Sequence, residues 1–146
     1  MPRVYVSSVI DAPADRVWRE LRDFNGLPKW VPAVAESRIE GNAPPDQVGC
    51  VRAFTLKDGG ALREKLLALS DFEYSVSYSI LESPMGVANY VATLRLSPVT
   101  DGERCFAEWT AEFDCEPARA EELVERIGRG VFQPAFDELK KKTGRR

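Results

Sequence analysis

The sequence predicts an α+β domain: a curved antiparallel sheet of about seven strands around one long C-terminal helix, with a pair of short helices after the first strand. Stretches in which apolar and polar residues alternate recur between residues 3 and 114, the signature of half-buried strands. Past residue 117 the period changes to three and four, the mark of a helix with one apolar face. Proline-marked segments near residues 13 and 28 set the first strand apart from the others. With 146 residues, 44% hydrophobic and 29% charged, the chain suits one domain, residues 1–146, with one substantial core.

Taken in order, residues 3–10 set Val4, Val6 and Ser8 against Tyr5, Ser7 and Val9 and form the first strand. Pro13 opens a helix whose stripe is Val17, Trp18 and Leu21, with Asp15 in the first turn, where a negative charge is favoured. Asn25, Gly26 and Pro28 end it. Residues 27–34 then form a short helical or turning segment that carries Trp30 between prolines and suits the open end of a barrel. Residues 34–40 make the next strand, and residues 41–47 a polar loop.

Residues 48–56 and 62–69 flank a glycine turn at 57–61 and predict a hairpin. Pairing across that turn sets Leu56 opposite Leu62, Phe54 opposite Glu64 and Arg52 opposite Leu66, all on one face. Arg63 and Lys65 take the solvated face, which leaves Glu64 as a carboxylate on the apolar side. Three readings of Glu64 stand side by side: a partner of Arg52, a polar contact for a ligand, or a proton donor whose pKa burial raises.

Residues 73–82 alternate, with Tyr74, Val76, Tyr78 and Ile80 facing one way. A loop with Met85 and Val87 at its tip follows, then a strand over residues 89–98 that aligns Tyr90, Ala92, Leu94 and Leu96. The strand over residues 104–114 turns Cys105, Ala107, Trp109, Ala111 and Phe113 toward the helix. That helix runs from about 117 to 142 and spans about 39 Å, enough to cross a whole sheet. Its stripe is Leu123, Val124, Ile127, Val131, Ala135 and Leu139, and Gly128, Gly130 and Pro134 predict a kink that leaves space beneath it.

Composition removes several function classes. A net charge of −3 and a pI near 5.2 oppose nucleic-acid binding, although Lys140, Lys141, Lys142, Arg145 and Arg146 make a basic tail, read as a solvated helix end. The opening residues lack a long apolar run, so no stable membrane insertion is expected, and the address is cytoplasmic. Cys50, Cys105 and Cys115 lack metal-type spacing and read as reduced, packed thiols. The chain has no histidine, which takes away the commonest general base and the commonest transition-metal ligand. Gly59-Gly60 lacks the spacing of a phosphate loop, so neither metal nor cofactor is expected.

The order of elements, with the opening IDAPADRVWRELRDFNGLPKW, resembles the helix-grip superfamily of START and Bet v 1 domains (SRPBCC), in particular its polyketide cyclase/dehydrase-like branch. Val48-Gly49-Cys50-Val51-Arg52, Glu64-Lys65-Leu66 and Asn89-Tyr90 are similar to motifs of the plant abscisic acid receptors, in which the Glu and the Tyr contact ligand through water. The receptors' gate corresponds to Asp58-Gly59-Gly60-Ala61 and their latch to Met85-Gly86-Val87, both altered here. Their ligand-pairing lysine falls on Val31 and their second pocket acid near Trp109, so the resemblance implies the pocket and not the hormone.

Periodicity alone leaves the inward residues as either a filled core or a cavity wall, and the resemblance implies the cavity. Its wall is then Phe54, Leu56, Leu62, Tyr78, Ile80, Tyr90, Trp109, Ile127, Val131 and Ala135, with Arg52 and Glu64 as polar groups. Gly59, Gly60, Met85 and Val87 are read either as lids or as ordinary turn residues. The expected function is binding of a small hydrophobic molecule such as a lipid, an isoprenoid or an aromatic metabolite. The alternatives are a cyclase or aromatase in which Glu64, Tyr78 or Tyr90 moves protons, and a module whose lid loops dock a protein partner once the cavity is filled.

Overall fold

The computed structural model describes residues 1–145. Strand β1 (Arg3–Ile10) leads through helices α1 (Ala14–Leu21) and α2 (Leu27–Trp30) to six further strands. These are β2 (Val34–Ile39), β3 (Val51–Leu56), β4 (Ala61–Ser70), β5 (Ser75–Glu82), β6 (Ala88–Val99) and β7 (Arg104–Asp114). All seven form one antiparallel sheet in the order β1-β7-β6-β5-β4-β3-β2. Register shifts in the β2–β3, β4–β5 and β6–β7 pairings bend the strands, and the sheet curves around the terminal helix. On β7 the alternation read from the sequence holds throughout: Cys105, Ala107, Trp109, Ala111 and Phe113 are all buried on the concave face.

The β3–β4 hairpin is tighter than the sequence predicts. Arg52 stands opposite Glu64 and Phe54 opposite Leu62, two residues away from the expected register. Gly59 at φ +97° turns the chain early, and Leu56 N–H donates to Gly60 O at 2.7 Å. A shift of two residues keeps every side chain on its original face, so the concave set is unchanged. Strand β5 also starts later than expected, because Tyr74 sits at φ +52° in the turn before it.

The terminal helix covers 27 residues and has four parts. A 3-10 turn (Pro117–Arg119) opens it, α3 (Ala120–Ile127) follows, a π turn spans Gly128–Phe132, and α4 (Gln133–Thr143) completes it. The expected kink at Pro134 is therefore a π turn placed just before the proline. Gln133 N–H donates to Gly128 O, five residues back, and the widened turn absorbs the hydrogen bond that Pro134 cannot make. The extra residue also rotates the stripe. Phe132 and Phe136 become fully buried while Val131 is half-buried, a change that a strict three-four period misses.

Helix α1 buries Ala14, Val17, Trp18 and Leu21 against β6 and β7. Trp18 Nε1 and Arg22 Nε each donate to Asp71 Oδ1 at 2.8 Å, which fastens the β4–β5 turn to that helix. The basic tail is more engaged than a solvated end. Arg145 Nη1 donates to Gly102 O at 2.7 Å and to Asp11 Oδ1 at 3.1 Å, and Lys142 Nζ lies 3.4 Å from Glu20 Oε2. Arg146 lies outside the described residues.

Candidate ligand-binding cavity

The polar centre of the concave face is an ion pair. Arg52 on β3 and Glu64 on β4 are both 5% exposed, so each has left water and needs the other. Arg52 Nε donates to Glu64 Oε1 at 2.8 Å, and Nη2 lies 2.6 Å from the same oxygen. Nη1 donates to Phe24 O at 3.1 Å in the segment joining α1 to α2. The guanidinium is packed against aromatic rings, with its Cζ 3.9 Å from the Phe24 centroid and 4.7 Å from that of Tyr78. Glu64 Oε2 accepts no hydrogen bond from any described residue. Burial raises the Glu64 carboxyl above its ordinary value, and the Arg52 guanidinium opposes that shift.

Beside the pair lies an aromatic cluster. Trp109 stacks on Phe132 with centroids 3.9 Å apart and meets the edge of Phe136 at 5.8 Å. Its Nε1–H donates to Tyr78 Oη at 3.1 Å. Tyr90 stacks on Phe113, and its hydroxyl shares a hydrogen bond with that of Tyr78. Burial pushes both tyrosine hydroxyls well above their ordinary value, so they stay protonated at neutral pH. Burial also raises the Cys50 thiol and pushes that of Cys105 up to about 12.

These groups adjoin a cavity of about 220 Å³ between the sheet and the terminal helix. Phe54, Leu56, Leu62, Tyr78, Ile80, Tyr90, Trp109, Ile127 and Val131 line it, together with Arg52 and Glu64. Ala135 does not; it is buried beyond the π turn, against the sheet. Sequence reasoning missed Phe132, which the π turn brings to the wall, and Leu27, Val31, Ala33 and Val34, which close one side. The available signal for the latter group was an apolar run bounded by prolines. Asp58, Arg126 and Gly130 also line the cavity and are exposed, so they mark its mouth.

Of the expected lid residues, Met85 lines the cavity, whereas Gly59, Gly60 and Val87 do not. Met85 O accepts a hydrogen bond from Arg119 Nη1 at 2.7 Å, and Met85 N–H donates to Ser83 Oγ at 2.9 Å. Gly86 has φ +78°, and a Cβ there would stand 2.7 Å from Arg119 Nη1. A Cβ on Gly60 would stand 3.4 Å from Pro84 Cγ, so the hairpin tip and the loop at residues 83–87 approach each other at the mouth. Among the described residues, no cluster of His, Cys, Asp and Glu is arranged to hold a metal, and no helix is long and apolar enough to cross a membrane.

The family described as polyketide cyclase / dehydrase and lipid transport matches residues 1–144. The chain belongs to this family. Its helix-grip, Bet v 1-like architecture is shared by solved structures. A Thermobifida fusca protein is 31% identical, with TM-score 0.88 over 97% of this chain and 93% of its own. The Bacillus cereus protein XoxI is 25% identical, with TM-score 0.87 over 98% and 96%. Norcoclaurine synthase of Thalictrum flavum, solved with dopamine and hydroxybenzaldehyde, is 19% identical with TM-score 0.75 over 96% and 84%, and at that distance the likeness is one of fold. A polyketide cyclase / dehydrase-type domain of this shape is a ligand-binding helix-grip domain.

Proposed function

We propose that the protein binds a small hydrophobic molecule in the cavity between sheet and terminal helix. The observation that supports this reading is a wall of aromatic and aliphatic side chains around about 220 Å³ of space, with a few buried polar groups at its inner end. An apolar cavity of about 150 Å³ suffices for benzene, so the volume favours an aromatic metabolite or a short isoprenoid over a whole lipid. Arg52, Phe54, Glu64, Tyr78, Tyr90 and Trp109 would form the inner contacts. The hairpin tip and the loop around Met85 would serve as lids, and a protein partner would read occupancy where they meet. The reading places the protein in the cytoplasm, where its free thiols stay reduced.

Native mass spectrometry of protein purified from its own source tests this, followed by thermal shift with small aromatic ligands. A retained small molecule, or a rise in Tm that saturates with ligand, is the expected result. Protein that comes out empty and gains no stability from any such ligand overturns the reading.

A cyclase- or aromatase-type activity is the second reading, favoured by the partnerless Glu64 oxygen on a cavity wall. It requires turnover of a poly-β-keto mimic that is lost in Tyr90→Phe and Glu64→Gln. Retention without turnover decides for binding.

A further inference from the structure

Resting on the reading of the cavity as a ligand site, we infer that its inner end selects an uncharged ligand carrying a hydroxyl or N–H donor and turns carboxylates away. Each nitrogen of the Arg52 guanidinium has an acceptor: Nε and Nη2 on Glu64 Oε1, and Nη1 on Phe24 O. The rings of Phe24 and Tyr78 lie against the guanidinium at 3.9 and 4.7 Å. An entering carboxylate therefore finds the cation already neutralised and Glu64 repelling it. A charged ligand group would also give up its hydration in a mostly apolar cavity, at a cost no free counter-charge offsets.

Acceptor capacity for a ligand remains at the inner end. Glu64 Oε2 is an acceptor with no partner, on a residue that lines the cavity. Tyr90 Oη shares a hydrogen bond with Tyr78 Oη and keeps a lone pair for a ligand, whereas Tyr78 Oη also accepts from Trp109 Nε1. A ligand hydroxyl or N–H complements this end by donating to Glu64 Oε2 or to the free lone pair of Tyr90 Oη. The exposed charges of Asp58 and Arg126 lie at the mouth, in contact with water, and leave the choice at the inner end unaffected.

The test uses three probes that share one ring system: naphthalene, 2-naphthol and 2-naphthoate, titrated into the full chain at neutral pH. In the wild-type protein 2-naphthol should bind at least about tenfold tighter than naphthalene, and 2-naphthoate more weakly than naphthalene. Tyr90→Phe should weaken 2-naphthol several-fold more than it weakens naphthalene. Glu64→Gln, if it melts cooperatively, should reverse the order of 2-naphthoate and 2-naphthol, because Arg52 is then a cation without a counter-charge. Naphthoate binding as tightly as naphthol to the wild-type protein, or naphthalene equalling naphthol, overturns this inference while leaving the cavity a ligand site. No binding by any probe overturns both.

Discussion

Arg52 and Glu64 stand directly opposite each other on β3 and β4, with Arg52 Nη2 2.6 Å from Glu64 Oε1 and both residues sealed from bulk water. A buried pair of this kind is worth little against an apolar replacement but a great deal against the loss of one member. Arg52→Met alone should therefore destabilise the protein by about 3–5 kcal/mol, since it strands a buried carboxylate. The double variant Arg52→Met/Glu64→Leu should recover most of that loss. Urea unfolding of the two singles and the double measures the coupling directly, and additive losses would refute it.

The pH dependence carries a definite sign. Burial raises the Glu64 pKa in the folded state, with Arg52 opposing, so the folded protein binds this proton more tightly than the unfolded chain does. Its contribution to stability must then grow as pH falls from the raised folded value toward the ordinary 4.5. Glu40 and Asp71, held low by hydrogen bonds from Arg63 and Arg22, lose stability over the acid range and mask it in the wild-type curve alone. The difference between wild type and Glu64→Gln isolates the effect. The wild-type advantage should widen between neutral pH and about pH 4.5, and a narrowing would contradict the assignment.

The loop at residues 83–87 is held over the mouth by Arg119 Nη1 donating to Met85 O at 2.7 Å. Arg119→Ala removes that tie without touching the cavity wall. A neutral or charge-assisted hydrogen bond of about 1.4 kcal/mol corresponds to tenfold in the closed-to-open ratio. Stopped-flow fluorescence with 2-naphthol should show ligand leaving about tenfold faster from the variant, with Tm little changed. Equal exit rates would remove the lid role from this loop.

Phe132 is fully buried, stacks on Trp109 at 3.9 Å and lines the cavity. Phe132→Ala should cost about 3–5 kcal/mol of stability and enlarge the cavity. Larger ring systems should then bind relative to wild type, as thermal shift with two- and three-ring ligands would register. A loss of stability with no change in ligand size preference would mean that the neighbouring rings collapse into the space.

Most of the fold was legible in the sequence because strand alternation is a local signal. Trp109 and Phe113 on β7, or Tyr78 on β5, declare their face by their neighbours alone. The hairpin register was not, since whether Gly59 turns the chain early is a matter of one backbone angle. Phe132 and Phe136 were missed for a related reason: a π turn before Pro134 shifts the helical phase by one residue. Val31 and Leu27 reach the cavity through long-range placement of α2, which no periodicity encodes. That Arg52 and Glu64 share the apolar face was readable; that both guanidinium contacts fall on one carboxylate oxygen was a matter of geometry.

The most direct test of the cavity is a titration of the ¹⁵N-labelled protein with 2-naphthol, observing the indole N–H groups. Trp109 lines the cavity, whereas Trp18 donates to Asp71 outside it and serves as an internal control. The account predicts that the Trp109 resonance shifts saturably with a stoichiometry near one while the Trp18 resonance stays in place. A Trp109 signal that does not move at saturating ligand, or one that moves no more than Trp18, would contradict it.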